Sequence, residues 1–228
     1  MKTTTVTLAL LPAFAIAALP ARSALAQGSS EITAAHVAAQ VQAFYDQTTT
    51  VQTAFQQAHY DRVYGRTTRS RGVLTIARPG QLRFDYLDGD GKVVVSDGRR
   101  LTIYEPDETG GGGQYAQTDV REDVSSALGF LTGTARLDRD FRFRLVDPER
   151  FHWSGHVLEL TPIRPEPGYA RAYLFVESGE RTAGVVRRVL IQDHAGNLNL
   201  FDFVRTQFNR PVSASRFRFE PPRGARRI

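Results

Sequence analysis

Arg78-Pro79-Gly80-Gln81-Leu82-Arg83-Phe84-Asp85-Tyr86 is the stretch whose reading decides the fold. Proline and glycine together predict a turn, and the alternation that follows predicts a strand. Leu82, Phe84 and Tyr86 fall on one face of it, Arg83 and Asp85 on the other. Arg78 stands just before the turn, where a cation can rest against the margin of an apolar face.

Working outward, Gly72 to Ala77 reads as the preceding strand. After Tyr86 the Asp88-Gly89-Asp90-Gly91 run predicts a turn into a strand over Lys92 to Ser96. Asp97-Gly98 is the strongest hairpin signal in the chain and returns it into Leu101 to Tyr104. Upstream, Ala34, Val37, Ala38, Val41, Phe44 and Tyr45 recur at three- and four-residue spacing. They predict an amphipathic helix capped by Ser29 or Ser30, with Glu31 in its first turn. Val51, Thr53 and Phe55 give a first strand, and Tyr60 to Tyr64 reads as its extended continuation.

Downstream, Pro106 to Gly113 is a loop ending in four glycines. No lysine followed by serine or threonine comes after it, so it reads as a hairpin tip rather than a phosphate cradle. Gln114 to Thr118 is a strand. Asp119 is placed to cap a short helix carrying Val120, Val124, Ala127, Leu128 and Leu131 and stopped by Gly133. The second half alternates as strands around Phe141 to Leu145, Val157 to Thr161, Ala172 to Val176, Val185 to Ile191 and Leu198 to Val204. A last strand is expected over Phe217 to Glu220. With no βαβ rhythm, the sheet should be antiparallel. About ten or eleven strands in one sheet must twist and curl, giving an unclosed antiparallel β-barrel. Two amphipathic helices are too few to cover both faces, so they should form a lid over the concave apolar one. The candidate wall of a ligand-binding cavity is Leu82, Phe84, Tyr86, Leu101 and Ile103 from strands. Val37, Val41, Phe44, Leu128 and Leu131 complete it from the helices.

The N-terminus is of another kind. Lys2, a largely apolar run from Val6 to Leu19 broken by Pro12, and Ala24-Leu25-Ala26 read as a cleavable signal peptide over residues 1–26. Residues 27–228 then make one domain, exported into a compartment taken to be the periplasm. The chain has no cysteine, so neither disulfides nor a lipid anchor on a terminal cysteine can hold it. The net charge of +5 falls to +3 once Lys2 and Arg22 leave with the signal. The arginines are scattered along strands, which argues against nucleic acid as a partner.

Catalysis is also disfavoured. There is no Gly-x-Ser-x-Gly elbow and no cysteine nucleophile, and His36, His59, His152, His156 and His194 are dispersed. His152 and His156 have half the spacing of a zinc site but are separated by an apparent turn. Glu122-Asp123 and Asp138/Asp140 read as solvated surface. No catalytic residue, metal or cofactor is expected.

Taken in order, these motifs resemble the LolA family of periplasmic outer-membrane lipoprotein carriers. The opening stretch is similar to that family's Arg-Pro-Gly-x-Phe-Arg-Trp-x-Tyr, with Leu82 and Phe84 in place of phenylalanine and tryptophan. Val95-Ser96-Asp97-Gly98 with Leu101, Tyr104 and Pro106, the segment Ala127 to Gly133, Gly196-Asn197, Phe217-x-Phe219 and Pro221-Pro222-x-Gly224 extend the likeness over residues 31 to 228. Thr102 and Ser126 depart from the family's tryptophan and proline. The resemblance implies a carrier that takes acylated lipoproteins from an inner-membrane ABC transporter across the periplasm, with a LolB-type outer-membrane receptor as a further partner. It implies a monomer, and it makes Arg78 a latch that bonds to backbone groups of the lid and holds the empty form closed. Arginine suits that role because its five donors stay charged. The competing classes are a lipid- or lipoprotein-sensing interaction module on the same fold and, more remotely, a lipid hydrolase.

Overall fold

The computed structural model describes residues 32–88, 91–107, 112–119 and 126–228, so the expected signal peptide lies outside the described residues. A first helix, α1 (Ala34–Asp46), leads into strands β1 (Thr50–Asp61), β2 (Arg66–Ala77), β3 (Gln81–Tyr86), β4 (Val93–Asp97), β5 (Arg100–Glu105) and β6 (Gln114–Asp119). Helices α2 (Ser126–Thr132) and α3 (Leu137–Asp140) follow. Then come β7 (Phe141–Val146), β8 (His156–Pro162), β9 (Arg171–Val176), β10 (Val186–Gln192), β11 (Leu198–Phe208) and β12 (Arg226–Arg227).

Among the described residues these twelve strands form one sheet in the order β12-β6-β5-β4-β3-β2-β1-β11-β10-β9-β8-β7. The pairing is antiparallel except between β12 and β6. The order never returns on itself, so β7 and β12 remain edges and the barrel is unclosed. The long strands β1 and β2 lie at the centre, where they pair residue for residue over their whole length.

The register shows what the sheet must bury. Phe55 sits opposite Gly72, which sits opposite Tyr86; Thr53, Leu74, Phe84 and Val94 form the next row. On the other half, Val189 faces Phe201 and Leu174, and Leu174 faces Leu158. Directly paired residues share a face, so one continuous apolar surface runs across the sheet. Val37, Ala38, Val41 and Tyr45 of α1 and Leu128, Phe130 and Leu131 of α2 pack onto it in a single buried cluster. The helices therefore lie over the concave face as a lid. A smaller cluster on the opposite face joins Val146, Val157 and Phe175 beneath Phe151 and Trp153.

Several local expectations need correction. The cap of α1 is Thr33, whose hydroxyl accepts the His36 N–H at 3.2 Å; Ser29, Ser30 and Glu31 lie outside the described residues. Arg62 to Gly65 is a turn rather than extended chain, held by Asp61 Oδ1 accepting the N–H groups of Val63 and Tyr64. Asp119 is the last residue of β6, and the start of the helix it was expected to cap, with Val120 and Val124, lies outside the described residues. Phe217 closes a 3₁₀ turn, Ala214–Phe217, and Phe219 packs on Tyr104 and Tyr115, so this segment straps the outer face of the sheet rather than extending it. Alternating aromatic and charged residues suit either outcome, because both bury one ring in two.

Phe55 is the centre of the concave face. It is 1% exposed, and its ring lies 5.1–5.3 Å from those of Phe84 and Tyr86 and 6.2 Å from Phe201. Gly72 makes room for it: a Cβ there would lie 2.6 Å from the ring and would collide with the Asp85 carbonyl oxygen. Phe55→Ala should lower the unfolding free energy by about 3–5 kcal/mol in urea titration. A loss under about 1 kcal/mol would mean that this face is not the core.

Candidate functional site

The turn between β2 and β3 is where both lid helices are fastened. The Arg78 N–H donates to the Thr49 carbonyl just beyond α1 at 2.8 Å, and the Gly80 N–H donates to the carbonyl of Thr132, the last residue of α2, at 2.8 Å. The Arg78–Pro79 peptide bond is cis, and Gly80 takes φ +78°, a conformation that glycine adopts without strain. Ser96 Oγ donates to the Gly80 carbonyl and accepts the Gly98 N–H, both at 3.1 Å, binding this turn to the Asp97-Gly98 hairpin.

The Arg78 side chain, 12% exposed, lies between the carboxyl ends of the two helices. Nη2 is 3.8 Å from Asp46 Oδ1 at the end of α1. Beyond α2, Gly133 has φ +78°, and a Cβ placed there would lie 2.7 Å from Arg78 Nε. Helix carboxyl ends carry partial negative charge, so a cation here is favoured by about 0.3–1 kcal/mol for each helix. Burial pulls the guanidinium pKa down while Asp46 and Tyr45 push it up. Nη1 is buried with no hydrogen-bond partner among the described residues. The resemblance implied guanidinium bonds to lid carbonyls; among the described residues, the hydrogen bonds from this turn to the lid come from its backbone N–H groups.

Asp46 is the partner that sequence reasoning missed. An aspartate at the last position of a helix faces the wrong end of the dipole, and that mismatch was the available signal. Here it is offset by Arg78 and by Arg136 Nη1 at 3.4 Å, while Gln42 Nε2 donates to it at 2.8 Å. Gln42 Oε1 in turn accepts the N–H of Leu137 at the start of α3 at 2.9 Å.

The expected wall residues come together, but as packed core. Val37, Val41, Leu82, Phe84, Leu128 and Leu131 are all buried in the concave cluster, with Phe44 and Tyr86 packed at its margin. Leu101 and Ile103 point to the same side by register, opposite Ser96 and Val94, but lie outside that cluster. Thr102 faces the other way and accepts a hydrogen bond from Gln117 at 3.1 Å, so the departure there does not touch the concave face. The open volume, about 920 Å³, lies past Tyr86 and is bordered largely by polar groups such as Gln57, His59, Ser70 and Lys92. In this closed form the apolar face is filled by its lid.

The residues weighed for catalysis form no converging set among the described residues, although His36 lies within electrostatic reach of His156. His152 takes a left-handed conformation after a 3₁₀ turn and His156 opens β8, where burial and His36 hold its pKa below the usual range. His194 contacts the Glu166 carbonyl at 2.8 Å in its turn. Asp138 and Asp140 lie in α3 and pair with Arg136 and Arg139; Asp140 is mostly buried rather than freely solvated. Glu122 and Asp123 lie outside the described residues. Among the described residues no three metal-binding side chains gather.

With this geometry in hand, comparison with known proteins is decisive. The family model for the outer membrane lipoprotein carrier protein LolA matches residues 46–220. The chain belongs to the LolA family. An outer-membrane lipoprotein carrier protein of Dechloromonas aromatica is 27% identical over 191 residues, covering 82% of this chain and 84% of that one. One from Cupriavidus taiwanensis is 30% identical over 162 residues, covering 70% of each. A crystal structure of a LolA superfamily protein from Nitrosomonas europaea aligns with a TM-score of 0.46 at 12% identity, over 82% of this chain and 98% of that one. The family match begins at Asp46, the residue that meets Arg78.

Gly133→Ala adds a methyl where the guanidinium lies and forces a left-handed conformation on an L-residue. It should cost about 1–2 kcal/mol and speed amide hydrogen exchange in α1 and α2 while leaving the β1–β2 ladder protected. Unchanged exchange in both helices would show that the Arg78 contact does not hold the lid.

Proposed function

We propose that the protein is a periplasmic carrier that binds the acyl chains of lipoproteins released from the inner membrane and delivers them to the outer membrane. The observation that carries this reading is the concave apolar face, closed by two helices that are fastened to the sheet through one turn. Its partners are then acylated lipoproteins, an inner-membrane lipoprotein-releasing ABC transporter and a LolB-type receptor. In this reading the signal peptide over residues 1–26 exports the domain 27–228 to the space between the membranes.

The energetics favour a reversible hold. Transfer of a long acyl chain from water gains roughly 0.8 kcal/mol per methylene, on the order of 12 kcal/mol per chain. A cavity that stood open would keep all of that gain and release nothing. Here the wall is already dry, because Leu82 and Phe84 are each 5% exposed beneath the lid. An entering chain exchanges with apolar side chains that are themselves buried, and opening gives up lid contacts. The ion pair of Asp46 with Arg78 is partly exposed, a class worth about 0–1 kcal/mol, a scale suited to a latch that opens.

Arg78 is the latch in this account. Arg78→Leu keeps the bulk of the side chain but removes its charge, so the closed form loses its attraction to both helix ends. The variant should load with a dipalmitoylated lipopeptide and fail to pass it to acceptor vesicles, whereas the natural protein releases it. Normal transfer by Arg78→Leu would overturn the latch. Recovery from periplasm without acylated lipoprotein, in a stable complex with a signalling protein, would overturn the carrier reading itself.

A further inference from the structure

The concave face changes character along its length. On β1, Val51, Thr53, Phe55, Gln57 and His59 point to one side, and across the ladder they meet Ile76, Leu74, Gly72, Ser70 and Thr68. Apolar pairing gives way to polar pairing within one step, at Gln57 and Ser70. Tyr86 marks the boundary. Its ring packs on Phe55 at 5.1 Å and Phe84 at 6.4 Å, while Gln57, which borders the same opening, donates from Nε2 to Asn199 Oδ1 at 2.8 Å. Beyond it opens the cavity of about 920 Å³, at the end of the sheet opposite the Arg78 turn.

The chemistry of this vestibule is mixed and close to neutral. Gln57, Ser70, Thr68 and Gln114 offer uncharged donors and acceptors. Lys92 is paired with Glu105 at 2.9 Å, and Asp88, also on the border, pairs with Arg71 at 3.0 Å. With Asp107 and Arg226 the border carries, among the described residues, three carboxylates against two cations, which does not favour a phosphate headgroup. Uncharged amide and hydroxyl groups suit ester and amide carbonyls. The volume falls in the range of sites that enclose drug-sized molecules, enough for a glyceryl linkage with the first residues of an attached chain.

We propose that this vestibule binds the polar junction of an acylated cysteine: the glyceryl ester, the amide linkage and the first peptide residues. The acyl chains then lie past Tyr86 between sheet and lid. The assignment rests on the carrier reading and adds to it the orientation of the cargo, peptide at the Gln57–Ser70 end and chain termini toward Arg78.

Two synthetic dipalmitoyl-glyceryl-cysteinyl peptides test it, one with a photoreactive diazirine on the second peptide residue and one with it at an acyl terminus. The peptide probe should label residues around Gln57, Thr68, Ser70 and Gln114, and the acyl probe residues around Phe84, Leu131 and Val41. Labelling of the Arg78–Gly133 end or the outer face by the peptide probe would overturn the orientation while leaving the carrier reading intact. Failure of both lipopeptides to bind would instead remove the carrier reading. As a second measurement, Ser70→Trp should weaken lipopeptide binding about tenfold while palmitate binding stays within about twofold. Equal loss for both ligands would show that Ser70 borders the acyl site, contradicting the proposal. Displacement of lipopeptide by phosphatidylglycerol vesicles at equal lipid concentration would transfer the vestibule to phospholipid.

Discussion

An open sheet with one apolar face must cover that face with something other than its own strands. Here, among the described residues, the edge strands β7 and β12 do not pair with each other, and the covering falls to α1 and α2. Burial of Val37, Val41 and Tyr45 from one helix and Leu128, Phe130 and Leu131 from the other accounts for their presence on the sheet. It also makes them displaceable, because the face beneath is complementary to any apolar chain. Core and candidate binding surface are the same residues, seen in different occupancy.

Such a lid needs an attachment that is definite but weak. The turn from Arg78 to Gly80 supplies two backbone hydrogen bonds, one to Thr49 just after α1 and one to Thr132, the last residue of α2, and a cation lying between the helix carboxyl ends. Asp46 supplies the countercharge from α1. The closed arrangement is not ideal, since a buried Nη1 without a partner, as Arg78 has among the described residues, costs about 1–3 kcal/mol. That cost lies in the closed form and narrows the gap to an opened one. In the proposed carrier, this balance of attraction and unmet donor sets how readily the lid parts.

Much of the architecture was legible because its signals are local. The Asp97-Gly98 hairpin, the alternation through Leu82, Phe84 and Tyr86, and the spacing of Val37, Val41 and Phe44 each fix an element within a few residues. Failures had two sources. Thr33 rather than an upstream serine caps α1 through a local bond to the His36 N–H, and Phe217 enters a 3₁₀ turn because Tyr104 and Tyr115 offer Phe219 an aromatic surface. The two-residue β12 carries no pattern at all. At the site, the wall residues were readable from periodicity, but their packing under the lid was not. The polar vestibule needed the register of several strands before Gln57, Ser70 and Lys92 could be seen to share a space. The role of Asp46 likewise depends on a meeting with Arg78 across the fold.

Carriage by this fold requires that the lid move away from the sheet when an acyl chain enters. Because the chain has no cysteine, two can be introduced and spin-labelled uniquely, at exposed Ala43 on α1 and exposed Gln56 on the outer side of β1. Pulsed electron paramagnetic resonance then reads the distance between them with and without bound dipalmitoyl lipopeptide. The distance should lengthen in the loaded protein and return to its original value after transfer to vesicles. A lipopeptide that binds stoichiometrically with the distance unchanged would contradict that requirement.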